Sequence, residues 1–92
     1  MREELSVCEA PIMKIIWESN PDISVPELVK QLNEQYGKEY ARTTVVTFLT
    51  RMAGKGYITT QRRGRISYVH AIKSEQEYKQ QLAQKEIEFW FH

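Results

Sequence analysis

The sequence predicts a mainly α-helical domain with one small β-hairpin, in the order helix, short strand, helix, helix, two-stranded hairpin, helix. Three observations predict it. The pattern Ser-x-x-Glu occurs at Ser6 with Glu9, Ser24 with Glu27 and Ser74 with Glu77; in it a hydroxyl caps the free amides of a helix start and the acid returns the bond. Apolar residues recur at helical spacing after the first two boxes and again after Arg42. Two β-rich runs, 57–61 and 66–70, flank the polar stretch Arg62-Arg63-Gly64-Arg65.

The first box opens a helix expected over about 7–19, with Ile12, Ile15 and Ile16 on its apolar face and Met13 and Trp17 on the flank. Pro11 falls inside it, where it removes one backbone hydrogen bond and is expected to bend the first turn. Asn20-Pro21-Asp22 ends this helix. Ile23 is a short extended link, and the second box opens a helix over 25–36, with a stripe of Val25, Leu28, Val29, Leu32 and Tyr36 and Gly37 as its stop. The third helix, about 42–55, buries Val45, Phe48, Leu49 and Met52 and ends at Gly56. A hairpin follows, with Gly64 supplying a positive φ at its turn. The last helix starts at the third box; its end, Ile87-Glu88-Phe89-Trp90-Phe91-His92, is aromatic and is expected either to meet a partner or to pack back on the core. The expected organisation is a domain over 1–73 and a C-terminal helix over 74–92 that leads into a dimerisation region.

Composition bounds the function. With 92 residues, 41% hydrophobic and 27% charged, the chain makes one small globular domain whose apolar residues are needed in the core. No apolar run is long enough for a membrane span or a signal peptide. Cys8 is the single cysteine and is expected to be a half-buried apolar residue; with His70 and His92 distant it forms no zinc spacing, so no metal or cofactor is expected and a reducing cytoplasm is. Neither histidine converges with a nucleophile, so no catalysis is expected.

The net charge of +1 hides a strong asymmetry. Residues 1–39 carry 4 basic and 8 acidic side chains, and 75–92 carry 2 and 4, whereas the 35 residues from 40 to 74 carry 7 basic side chains and no acid. Such a segment suits a polyanion, because each nearby carboxylate would repel phosphate. Within it, a turn of about 100° per residue puts Thr43, Val46, Thr47, Thr50 and Gly54 opposite the apolar stripe of the third helix. Threonines are poor helix formers, so a demand other than propensity placed four of them between 43 and 50.

This order of elements is that of a winged helix-turn-helix, in which one helix enters the major groove and the hairpin reaches the backbone or minor groove. Thr43 and Thr47 are the expected base-edge or thymine-methyl contacts, and Val46 is expected to meet either a thymine methyl or a dimer or neighbouring-loop contact. Arg42 and Thr44 suit phosphate at the helix start. Arg51 and Lys55 are expected to position the backbone, their competing role being an ion pair with an acid on another helix. Arg62, Arg63 and Arg65 are the wing-tip contacts. A rival function is a protein-interaction module that uses the aromatic C-terminal end.

The residues also resemble a known family. Leu5-Ser6, Glu9, the run from Ile12 to Trp17, Thr44-Val45 with Thr47, Leu49, Arg51-Met52, Lys55-Gly56-Tyr57, and Gly64-Arg65 with Tyr68 are similar to the penicillinase-repressor family, which includes the β-lactamase, methicillin-resistance and copper-operon repressors. The resemblance covers about residues 5–72. It implies a homodimer, joined through the C-terminal helix and residues beyond it, that sits on double-stranded DNA at an inverted-repeat operator and blocks transcription. The family is released by proteolysis in one branch and by metal at C-terminal cysteines in another, and this chain has no such cysteine cluster. It also departs from the family at Ala10-Pro11, where an aromatic and an acidic residue are usual.

Overall fold

The computed structural model describes residues 4–19 and 22–91. Seven elements follow in order: α1 (Glu9–Glu18), β1 (Asp22–Ser24), α2 (Val25–Tyr36), α3 (Arg42–Gly54), β2 (Ile58–Arg63), β3 (Ile66–Ala71) and α4 (Glu75–Phe91). The three strands form one antiparallel sheet, ordered β1-β3-β2. Among the described residues no helix is long and apolar enough to cross a membrane.

The serine cap forms at all three boxes, and the acid returns the bond at the first and third. The Ser6 amide donates to Glu9 Oε1 at 2.9 Å and the Glu9 amide to Ser6 Oγ at 3.2 Å. The Glu27 and Glu77 amides donate likewise to Ser24 and Ser74. Regular α1 nevertheless starts at Glu9, two residues later than expected. The Ala10 amide reaches the Ser6 carbonyl at 3.0 Å, but Pro11 has no N–H to offer Val7, so the i to i−4 ladder skips a rung. Of the residues expected to end α1, Asn20 and Pro21 lie outside the described set.

α1, α2 and α3 pack with the sheet around Ile12, Met13, Ile15, Ile16, Leu28, Leu32, Val45, Leu49, Met52, Tyr57, Ile58 and Val69. Phe48 and Trp17 are only partly buried against this core. Cys8, expected to be half-buried, is exposed, because it lies in the first turn ahead of the residues that α1 buries.

The end of α3 aims the wing. The Tyr57 amide donates to the Met52 carbonyl at 3.1 Å and the Gly56 amide to Ala53 at 3.0 Å, the paired bonds of a Schellman motif, with Gly56 left-handed at φ +87°. Tyr57 and Met52, the two apolar ends of that motif, are both fully buried. The chain therefore leaves α3 in one direction, straight into β2.

The hairpin is longer than expected and its loop shorter. Arg62 and Arg63 belong to β2, and Arg63 faces Ile66 across the ladder, which leaves Gly64 and Arg65 as a two-residue turn. Gly64 has φ +66° and Arg65 has no positive φ, the pattern of a II′ turn. β1 is a true strand, with Ile23 opposite Val69 and Asp22 opposite His70. Ile23, Ile58 and Val69 are buried on the inner face, while Ile66 and Tyr68 alternate to the outer one.

Candidate nucleic-acid interface

α3 is built to show one face. Val45, Leu49 and Met52 are buried at spacings of four and three, which turns Thr43, Thr44, Val46, Thr47 and Thr50 outward, all exposed. Two of the threonines are fixed by their own helix: Thr47 Oγ1 donates to the Thr43 carbonyl at 3.1 Å and Thr50 Oγ1 to the Val46 carbonyl at 3.0 Å. Their protons are occupied, so what they offer outward is an acceptor lone pair and a methyl group. The cap residue Ala41 brings no side-chain acceptor to the start of α3, and no acid stands in its first turn. The leading amides, including those of Arg42 and Thr43, are left for water or an anion.

Beside this helix lies a cleft of about 180 Å³ lined by Val25, Pro26, Arg42, Val46, Leu49, Thr50, Arg62, Arg65, Ile66 and Ser67. It joins three elements. α3 contributes Arg42, Val46 and Thr50, the hairpin contributes Arg62, Arg65 and Ser67, and the start of α2 closes one end. The cleft contains three arginines and no carboxylate. Among the described residues Arg42, Arg51, Arg62 and Arg65 have no acidic partner. Arg62 Nε donates to the Gly64 carbonyl at 3.2 Å, which curls it over the tip. Arg51 sits on the flank of α3 with its guanidinium 6.0 Å from the Phe48 ring centre.

Two expected members are taken elsewhere. Lys55 is not turned toward solvent for a phosphate: its Nζ lies 2.7 Å from Glu9 Oε1, and it also donates to the Glu4 carbonyl at 2.9 Å. Glu9 is fully buried, so the ammonium that answers its charge is held in place. Burial pushes the Glu9 carboxyl up, but the bonds from Lys55 and Ser6 outweigh it and hold it below the usual carboxylate range. Arg63, counted with the other wing arginines, is paired with Asp22 on β1 and lies with its guanidinium 4.5 Å from the Tyr68 ring centre. Successive strand residues point to opposite faces, so Arg63 leaves Arg62 behind.

Ser67, Ile66 and Val25 line the cleft without having been expected there. A signal for Ser67 existed, since it sits opposite Arg62 in the hairpin register. None existed for Val25, which reaches the cleft only through the packing of α2 against α3. Among the described residues no group of three or more His, Cys, Asp or Glu could hold a metal ion.

The fold is similar to known structures. The solution structure of the DNA binding domain of the repressor BlaI is similar over 85% of this chain and 94% of its own, at 26% identity and a TM-score of 0.69. The complex structure of hsRosR-S1 is similar over 96% of this chain and 79% of its own, at 16% identity and a TM-score of 0.72, and bears on the fold alone. No curated protein sequence matches. The penicillinase repressor family matches residues 5–92. With its helices, wing and C-terminal helix all inside that span, the chain belongs to the penicillinase-repressor family.

Proposed function

We propose that this protein is a transcriptional repressor that binds double-stranded DNA sequence-specifically at an inverted-repeat operator, with α3 in the major groove and the wing on the backbone or minor groove. The observation that carries the reading is the acid-free cleft in which Arg42, Thr50, Arg62 and Arg65 converge from α3 and the hairpin. A basic, hydroxylated helix face beside an arginine-tipped ribbon is the surface that phosphate neutralisation and groove reading require. Thr43 and Thr47 read base edges, Thr47 with its methyl and lone pair presented as its bond to the Thr43 carbonyl fixes them, and Val46 meets thymine methyls. Arg42 and Thr44 hold phosphate at the start of α3, Arg51 positions the backbone, and Arg62 and Arg65 anchor the wing. Lys55 has no part in this set.

The chain is further proposed to work as a homodimer, with residues 74–92 leading from the DNA-binding part to the dimer contact. What supports this is the exposed apolar end of α4, where Phe89 is 77%, Trp90 68% and Phe91 84% exposed. An alternative in which that end serves an unrelated partner, with the basic face incidental, separates on salt. DNA binding through several phosphates weakens steeply with ionic strength, and an aromatic contact does not.

Selection of bound duplexes from a random pool tests function and symmetry together; the expected product is an inverted repeat. On that operator Arg65→Ala is expected to lower affinity for all duplexes and to flatten the salt slope by about 1. Thr47→Ala is expected instead to change which operator is preferred. Equal losses on every sequence from both would refute the division between anchoring and reading.

A further inference from the structure

Arg63 and Asp22 are 41 positions apart and lie on the two outer strands of the sheet, which pair only with β3 between them. They meet across β3 on its outer face. There Arg63 folds back from the tip over the Tyr68 ring, 4.5 Å from its centre, and bonds Asp22 Oδ2. The second oxygen, Oδ1, lies 3.2 Å from His70 Nδ1, the residue directly opposite Asp22 in the register. Each oxygen of the carboxylate thus has a partner, and the aspartate side chain is only 14% exposed against 49% for the arginine. Arg62 and Arg65, one residue before and two after, border the cleft and have no acid near them.

We propose that Asp22 is a latch that withholds Arg63 from DNA, so that the wing engages phosphate with two arginines rather than three. The inference rests on the DNA-binding reading. Its physical basis is competition: the guanidinium that Asp22 holds is the group a phosphate would otherwise take, and an oriented carboxylate on the same sheet is always present. Asp22 is therefore a positioning residue that sets the charge of the wing, and with it the balance between sequence-independent and sequence-dependent affinity.

The test is a double-mutant cycle on duplex binding measured across a salt series, with thermal melts to establish folding. Asp22→Asn keeps the shape of the side chain and removes its charge. It is expected to raise affinity for every duplex by about 5-fold at 0.15 M salt and to steepen the log-log salt slope by about 0.9, one added phosphate contact. Arg63→Gln alone is expected to leave affinity and slope close to those of the unsubstituted protein, and Asp22→Asn is expected to add nothing in the Arg63→Gln background. Three results overturn the latch: a gain that persists in that background, which makes Asp22 a general repeller; a loss of affinity in folded Asp22→Asn; or a loss in Arg63→Gln as large as in Arg65→Gln. Asp22→Ser serves in place of Asn where the latter does not melt cooperatively. Heparin elution of the same four proteins separates the two levels of the argument. If the unsubstituted protein binds no duplex, the repressor reading falls, while later elution of Asp22→Asn, cancelled by Arg63→Gln, still upholds the latch and unchanged elution refutes it.

Discussion

Glu9 carries a charge into the core and caps a helix with it. One oxygen takes both the Ser6 amide and the Lys55 ammonium, whereas Oε2 is buried and has no hydrogen-bond partner among the described residues. A carboxylate in that position depends on its counter-ion, because removing the cation leaves an uncompensated buried charge. Lys55→Met is therefore expected to lose about 3 kcal/mol of stability, measured by urea unfolding at neutral pH. The pH dependence follows from the depressed titration of Glu9. A group whose folded value lies below its unfolded one stabilises fully above the unfolded value, about pH 4.3, and loses that contribution as pH falls through the folded value. The urea midpoint is expected to fall more steeply below about pH 4.3 in the unsubstituted protein than in Glu9→Gln.

At the scale of elements, the placing of the hairpin beside α3 depends on how α3 ends. The left-handed Gly56 turns the chain so that Tyr57 is buried against the core and β2 starts beside α3. A methyl group at Gly56 would meet nothing within 4 Å, so the cost of Gly56→Ala is conformational rather than steric crowding. It is expected to be about 1 kcal/mol, seen as a lowered melting temperature. Because the wing leaves α3 through this turn, duplex affinity is expected to fall in the same variant by more than Gly37→Ala produces at the end of α2. The threonines of α3 illustrate the complementary point. Helix propensity argues against them, yet the hydroxyls of Thr47 and Thr50 are satisfied by carbonyls one turn back, which leaves a low outward surface.

At the scale of the molecule, the extents of 49 × 26 × 21 Å describe a compact body with an arm. The arm is α4. Its first half is tied down: Tyr78 packs against Trp17 and Tyr57, Trp17 Nε1 donates to the Lys73 carbonyl at 2.8 Å, and Lys14 pairs with Glu75 at 3.0 Å. Its second half carries the Lys85–Glu4 ion pair and is otherwise turned to solvent, with Ala83, Glu86, Ile87, Trp90 and Phe91 on one side. The alternative that this end packs back on the core is thereby set aside. A second copy covering the arm would hold two reading heads together and raise effective concentration at a two-half operator. Trp90→Glu is expected to shift sedimentation toward monomer and to weaken binding to the full inverted repeat at least 10-fold, with binding to a single half-site little changed.

Local chemistry made much of this protein legible from its sequence. The three Ser-x-x-Glu boxes, the apolar spacing of α3, the glycines at 56 and 64 and the acid-free stretch from 40 to 74 each act within a few residues, and the elements, the outward threonine face and the order of the fold follow from them. Pro11 shifted the start of α1 because a missing amide acts on a carbonyl four residues away. Which charges remain free was settled only by tertiary structure. Lys55 and Arg63 look the same in sequence as Arg62 and Arg65, but packing brings Glu9 from 46 positions away to one and Asp22 from 41 positions away to the other. An ion pair depends on distance in space, and separation along the chain does not report it. Pattern therefore determines which residues face outward, and the meeting of remote strands and helices determines which of those residues have a charge left to give.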